Sequence, residues 1–243
     1  MLPLRDNIRS KSAPVITWAI IGANTLVFLY EILLASAGLD HFVAVWGLVP
    51  ARLHLSQLSV LIENPSLLLP LFTAMFLHNG WFHFLSNIWI LFIFGDNVED
   101  WMGHWRFLIF YLISGIAANL IHAVFYPFST VPTIGASGAI AGVLGAYFLV
   151  YPAARILTLV PVFIFPILLQ IPAIFYLGFW FITQLFSGFM ALGLPAGHTT
   201  SGVAWWAHIG GFLFGVFIST RYRPRKRQVS PWFPVDERFD VNK

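Results

Sequence analysis

The sequence predicts an all-α polytopic membrane protein, a bundle of six transmembrane helices. Three observations carry that expectation. Of 243 residues, 58% are hydrophobic and only 9% charged, against about 25% charged in soluble domains. Six apolar segments approach or exceed the helix length that a bilayer core of ~30 Å requires, about 20 residues. The 13 Lys and Arg residues gather near the two ends of the chain rather than along a stripe. Such a composition excludes an ordinary soluble enzyme and a disordered chain. The placement of the basic residues argues against a nucleic-acid partner. There is no cysteine, so disulfides, cysteine zinc sites and thiol nucleophiles are excluded.

Residues 1–14 read as a cytoplasmic N-terminal segment. The first span covers about 15–36. Ala35-Ser36-Ala37 mimics a signal-peptide cleavage site, but the apolar run exceeds the usual 7–15 or so residues, so an uncleaved helix is expected. The second span covers about 81–97 after an apolar lead-in, Leu67–Leu77. The third covers about 105–126 and the fourth about 136–151. The fifth, about 157–193, has room for a shallow or re-entrant stretch around Pro161 and Pro166. The sixth covers about 203–220. Residues 15–221 thus form one membrane domain, and 222–243 a basic, flexible cytoplasmic tail.

Loop charge sets the sidedness. Arg5, Arg9 and Lys11 precede the first span, and Arg221, Arg223, Arg225, Lys226 and Arg227 follow the last. With an even number of spans both ends share one side, which the positive-inside rule makes cytoplasmic. Twelve of the 13 Lys and Arg then lie inside, Arg52 being the exception. A bacterial inner membrane suits this arrangement. The outer segment 37–66 carries Trp46, Leu48, Val49, Leu53 and Leu55. It is too apolar for a free loop and is expected to lie in the outer interface. No internal repeat suggests a transporter.

Polar groups at membrane depth are costly and mark function by default. Spans two, four and six all run from outside to inside. His83, Asn87, Ser137 and His208 therefore share one depth although they come from separate stretches of chain. Ser137 opens the fourth span within Thr133-Ile134-Gly135-Ala136-Ser137-Gly138. Its amide lies at a helix start, where N–H groups are free and negative charge is favoured. An N-cap or packing serine would look the same locally. His208 shares a helical face with Gly211 and Gly215, as Ser137 does with Ala141 and Gly145. Two such small-residue seams in contact would join imidazole to hydroxyl. His83 and Asn87, four residues apart, present donors on one face. Those donors suit an inter-helix contact or an oxyanion beside Ser137.

A serine nucleophile needs a base in hydrogen-bond reach, and His208 is the best candidate. None of the ten acids falls within spans two, four or six at outer depth. Catalysis would therefore use a Ser–His dyad, with the imidazole oriented by packing or by an aromatic such as Tyr147 or Trp205. His78, Gly135, Gly138 and Tyr147 are candidates for a supporting layer around the pair.

These residues resemble the rhomboid family of intramembrane serine proteases. The likeness rests on GASG around Ser137, on HNGWFHFLSN from His78 through His83 to Asn87, and on AHIGGFLFG around His208. It covers about 15–221. It implies Ser137 as nucleophile, His208 as general base, and His83, Asn87 and the Ser137 backbone as the oxyanion hole. It further implies transmembrane protein substrates cut in or beside the bilayer, with no metal or cofactor. A mobile fifth helix and a covering loop are also implied, here the region 157–205 with Gly193, Pro195, Gly197 and Gly202 in its loop. Many members carry a Trp-Arg pair in the first loop, and none occurs at 37–66 here.

Two other readings compete. One is an inactive relative that holds membrane clients without cutting them; the presence of both Ser137 and His208 argues against it. The other is a metal or haem carrier built on His78, His83, His122 and His208. The lack of cysteine, of HExxH and of an intramembrane carboxylate at outer depth argues against that one. Nothing in the sequence points to an oligomeric state or a particular substrate.

Overall fold

A computed structural model of the chain describes residues 1–53, 58–162, 165–192 and 203–222. Helices dominate. After a short strand β1 (Leu2–Asp6), α1 (Val15–Leu33) leads through α2 (Ser36–Trp46), α3 (Leu58–Glu63) and α4 (Pro70–Thr73) to the long helices α5 (Gly80–Met102) and α6 (His104–Phe125). Then come α7 (Ser137–Val150), strands β2 (Arg155–Val162) and β3 (Phe165–Pro172), α8 (Ala173–Leu192) and α9 (Trp205–Arg221). Among the described residues three helices are long and apolar enough to cross a membrane: α1, α6 and α8. Helix α7 is apolar but shorter, and α5 carries Asp96, Glu99 and Asp100 near its C-terminal end. The protein is therefore a mostly helical membrane protein.

Helix α7 sits at the centre, and every residue from Gly138 to Tyr147 is buried. It can occupy that position because α9 meets it backbone to backbone. A Cβ on Gly211 would lie 2.0 Å from the Gly138 carbonyl oxygen, one on Gly215 2.0 Å from that of Gly142, and one on Gly145 2.1 Å from that of Phe212. Real Cβ atoms do not come so close, so only glycine permits this separation. The expected small-residue seam is thus present over about two helical turns.

The all-α expectation fails at one end of the bundle. A three-stranded antiparallel sheet in the order β1-β2-β3 occupies residues assigned to the N-terminal segment and to the fifth span. Leu2 pairs with Leu159, and Arg155 through Val162 pair with Pro172 back through Phe165. The fifth helix begins only at Ala173. The cause is chemical: a continuous apolar run gives the same hydropathy as strand or helix. Pro161 and Pro166 pair near the Val162–Phe165 end of the β2–β3 ladder, where their missing N–H groups are tolerated. Strand β1 touches α5, whose Trp89 indole N–H donates to the Pro3 carbonyl at 2.6 Å, and α8, whose Tyr176 hydroxyl donates to the Met1 carbonyl at 3.4 Å.

Part of the apolar segment 37–66, around residues 47–53, is docked into the bundle. Leu48, Val49 and Leu53 are buried; Leu48 and Leu53 pack with Leu71, Ala74 and Ala123. Leu48 also pairs with Thr133, its N–H donating at 3.0 Å and its carbonyl accepting at 2.7 Å. This anchors the chain that enters α7.

Candidate active site

Four helices meet where α7 begins. Gly135, the turn before it, has φ +126°, a conformation that L side chains rarely adopt. Its N–H donates to the Ala74 carbonyl at 2.8 Å. Ser137 is the first residue of α7, so its own amide has no carbonyl one turn earlier to bind. Helix α9 brings His208 to it: Nε2 lies 2.8 Å from Ser137 Oγ. Both side chains are half-buried, within reach of the surface. The seam predicted from glycine spacing therefore ends in a hydroxyl–imidazole contact.

The other ring nitrogen, Nδ1, is 2.8 Å from Gln184 Oε1. Gln184 belongs to α8 and is 5% exposed. Trp180 of the same helix and Trp205 of α9 flank the imidazole, with ring centroids at 6.0 Å and 6.2 Å. Of the two aromatics considered for orienting His208, Trp205 does lie beside it. Tyr147 does not. It sits ten residues after Ser137, roughly 15 Å along the helix, and its hydroxyl donates to Asp6 at the far end. Tyr147 is removed from the supporting layer for that reason.

His83 faces the same point from α5. A Cβ on Gly135 would stand 2.7 Å from His83 Nε2 and 3.7 Å from Ser137 Oγ. His83 Nδ1 accepts the Asn79 N–H at 3.2 Å, which places the ring proton on Nε2, the edge against Gly135. Asn87 is less committed to the site. Its amide donates to the His83 carbonyl at 3.0 Å, within its own helix. Gly138 packs on Ala118 and Ala207 and belongs to the seam.

His78 lies behind His83, ring centroids 5.2 Å apart, and is 3% exposed. Its backbone N–H donates to both carboxylate oxygens of Glu31, at 3.2 and 3.1 Å. Glu31, in α1, is 2% exposed. The expectation that no carboxylate lies in the membrane at this depth is thereby corrected. The sequence rule that found the histidines would also have found Glu31, the one carboxylate of α1, and Gln184, the one side-chain amide of α8. His122 contacts Thr133, Nε2 to Oγ1 at 3.0 Å, and holds the loop before α7. Among the described residues no group of three His, Cys, Asp or Glu is placed to hold a metal ion. The loop of Gly193, Pro195, Gly197 and Gly202 and the tail from 223 lie outside the described residues.

Comparison with known proteins gives a consistent result. A family model described as a Rhomboid domain matches residues 65–225. Rhomboid protease GluP of Bacillus subtilis is 43% identical over 76 residues, 31% of this chain and 14% of its own length. Rhomboid-like protein 11, chloroplastic, of Arabidopsis thaliana is 33% identical over 125 residues, 50% of this chain and 41% of its own. Presenilin-associated rhomboid-like protein, mitochondrial, of Rattus norvegicus is 28% identical over 213 residues, 83% of this chain and 47% of its own. The chain thus spans less than half the length of these relatives.

Proposed function

The chain belongs to the rhomboid family, and on that premise we propose that it is an intramembrane serine endopeptidase working through Ser137 and His208. The observation that carries this reading is the 2.8 Å contact between Ser137 Oγ and His208 Nε2 at the mouth of α7. Ser137 Oγ attacks the scissile carbonyl carbon while its proton passes to Nε2. The carbonyl electron pair moves to oxygen. The anion lies beside the Ser137 amide, with His83 Nε2–H as a further donor and Asn87 as a weaker candidate. Collapse expels the amine, which takes the proton from Nε2. Water then attacks the acyl-ester, gives its proton to Nε2, and Ser137 leaves with that proton restored.

The substrates are single-span membrane proteins, unwound near small or helix-breaking residues so that the scissile carbonyl is exposed. Helices α1, α5, α6, α7, α8 and α9 are the six crossings, with both ends cytoplasmic in a bacterial inner membrane. The clustering of Lys and Arg supports that sidedness. No metal or cofactor is required. The test is labelling of detergent-solubilised protein by a fluorophosphonate, an electrophile that marks activated serines. Labelling is expected in the wild type and absent in Ser137→Ala and His208→Ala. Undiminished labelling in either variant overturns the dyad. No labelling of the wild type in lipid returns the weight to a non-cleaving, client-holding role.

A further inference from the structure

We propose that Gln184 is the positioning residue of the Ser137–His208 pair, holding the imidazole as the Nδ1–H tautomer so that Nε2 is bare toward Ser137. The inference rests on the catalytic reading above and adds a third member to it, from α8. In a Ser–His–carboxylate arrangement the acid fixes tautomer and ring angle. Among the described residues no acid is hydrogen-bonded to Nδ1, and Gln184 Oε1 is, at 2.8 Å.

The direction in which the Gln184 amide points decides the tautomer. Gln184 Nε2 lies 3.3 Å from the Trp180 carbonyl and 3.2 Å from Thr183 Oγ1. The Thr183 hydroxyl already donates to that same carbonyl, at 2.6 Å. Its oxygen can therefore only accept from Gln184. Both groups beside Nε2 are acceptors, so the NH2 must face them and the carbonyl oxygen must face His208. A flipped amide would set oxygen against two acceptors and would aim N–H at Nδ1. The ring proton would then sit on Nε2, and Ser137 would lose its base. Trp180, Thr183, Gln184, His208 and Ser137 form one directed hydrogen-bond chain.

An amide suits this location. A buried carboxylate in an apolar bundle carries a desolvation penalty that a neutral acceptor avoids. The imidazolium formed during attack still finds a carbonyl dipole at Nδ1–H. The geometry also divides the site between two bodies. Ser137 and His208 ride on helices joined by glycine backbone contacts, whereas Gln184 rides on α8. A hydrogen bond weakens sharply beyond its normal distance. An outward move of α8 by about 1 Å would thus release the tautomer without parting the pair.

The test uses full-length protein in detergent. In wild type, ¹⁵N NMR of the His208 ring, assigned by its loss in His208→Ala, should show Nδ1 protonated and Nε2 bare. Gln184→Met keeps the shape and removes the acceptor. It should lower the fluorophosphonate labelling rate roughly 10- to 100-fold, the range seen when partners behind a functional imidazole are lost. It should also mix the tautomers. Gln184→Glu should label well, with the acid side of its pH–rate profile moved to higher pH, because a carboxylate favours the imidazolium. A merely structural Gln184 would leave both the tautomer and that profile unmoved. Wild-type His208 protonated on Nε2, or Gln184→Met labelling within about 2-fold of wild type, overturns the proposal. If wild type fails to label yet shows the Nδ1–H tautomer, lost in Gln184→Met, the positioning stands and the catalytic reading falls.

Discussion

The two ends of the bundle solve opposite problems. At the Ser137 end the polar groups are mainly imidazoles, amides and hydroxyls, with the carboxylate of Glu31 behind them, and the Ser137–His208 pair is half-buried. His78 has no partner for either ring nitrogen among the described residues. At the other end charge is buried and tightly bound. Glu99, fully buried, accepts the N–H groups of Ile16 and Thr17 at 2.9 and 2.8 Å, the Thr17 hydroxyl at 2.7 Å and His104 Nδ1 at 2.5 Å. Helix α1 has no side-chain cap of its own, only Pro14. Glu99 therefore satisfies the free amides at its start from across the bundle. Asp100 accepts the backbone and hydroxyl of Ser12 at 3.1 and 2.6 Å, and Asp6 accepts Asn97 at 2.8 Å. One end is held by buried carboxylates, while the other keeps a hydroxyl–imidazole pair half-buried, within reach of the surface.

Exchanging the two properties should break the comparison most visibly. Ser137→Ala and His208→Ala should each reduce labelling or peptide cleavage about 10⁴-fold or more, as loss of a nucleophile or its base does. Both should leave the thermal midpoint nearly unchanged, read by scanning fluorimetry. Glu99→Ala should do the reverse. It orphans several donors and should lower stability by ~3 kcal/mol, the scale for removing one partner of a buried charged network. Activity per folded molecule should persist. If Glu99→Ala abolishes labelling while remaining folded, the two ends are not separable.

Gly135→Ala tests the reactive end alone. It combines a positive φ with a Cβ 2.7 Å from His83. We expect roughly 10- to 100-fold lower labelling, with strain of about 1–3 kcal/mol. The smallest effect concerns pH. Burial pushes Asp6 up from 3.8 to about 7, with Tyr147 opposing and Asp96 adding to the rise. An acid raised on folding binds its proton more tightly in the native state. Its contribution is thus full below about pH 4 and is lost as pH climbs through 7. Asp6→Asn should flatten the fall in stability between about pH 4 and 7, measured by thermal unfolding across buffers.

How much of this was legible depends on what each element leaves in the sequence. The Ser137–His208 contact was readable because glycines at helical spacing on both sides fix a short helix separation, and alternate spans share depth. The sheet was not, because LVPVFIFPILLQIP satisfies hydropathy equally as strand or helix. Strand β1 gave no signal, since its partner lies most of a chain length away. Gln184 was readable in principle, as one amide in an apolar helix. Glu31 was readable on the same ground, as the carboxylate within apolar α1; its contact with the His78 N–H was not, because nothing in the sequence sets α1 against that turn.

The pairing of Leu2 with Leu159 has a consequence for the order of events during synthesis. Strand β1 leaves the ribosome long before β2 and β3 exist to receive it. Closing so long a loop carries an entropic cost of about 4–5 kcal/mol, which the hairpin and α8 must offset once they arrive. Until then the gap between α5 and the future α8 stands open and β1 waits unpaired. A segment made before all these helices is thus among the last to settle, a latch drawn shut after they have been laid down.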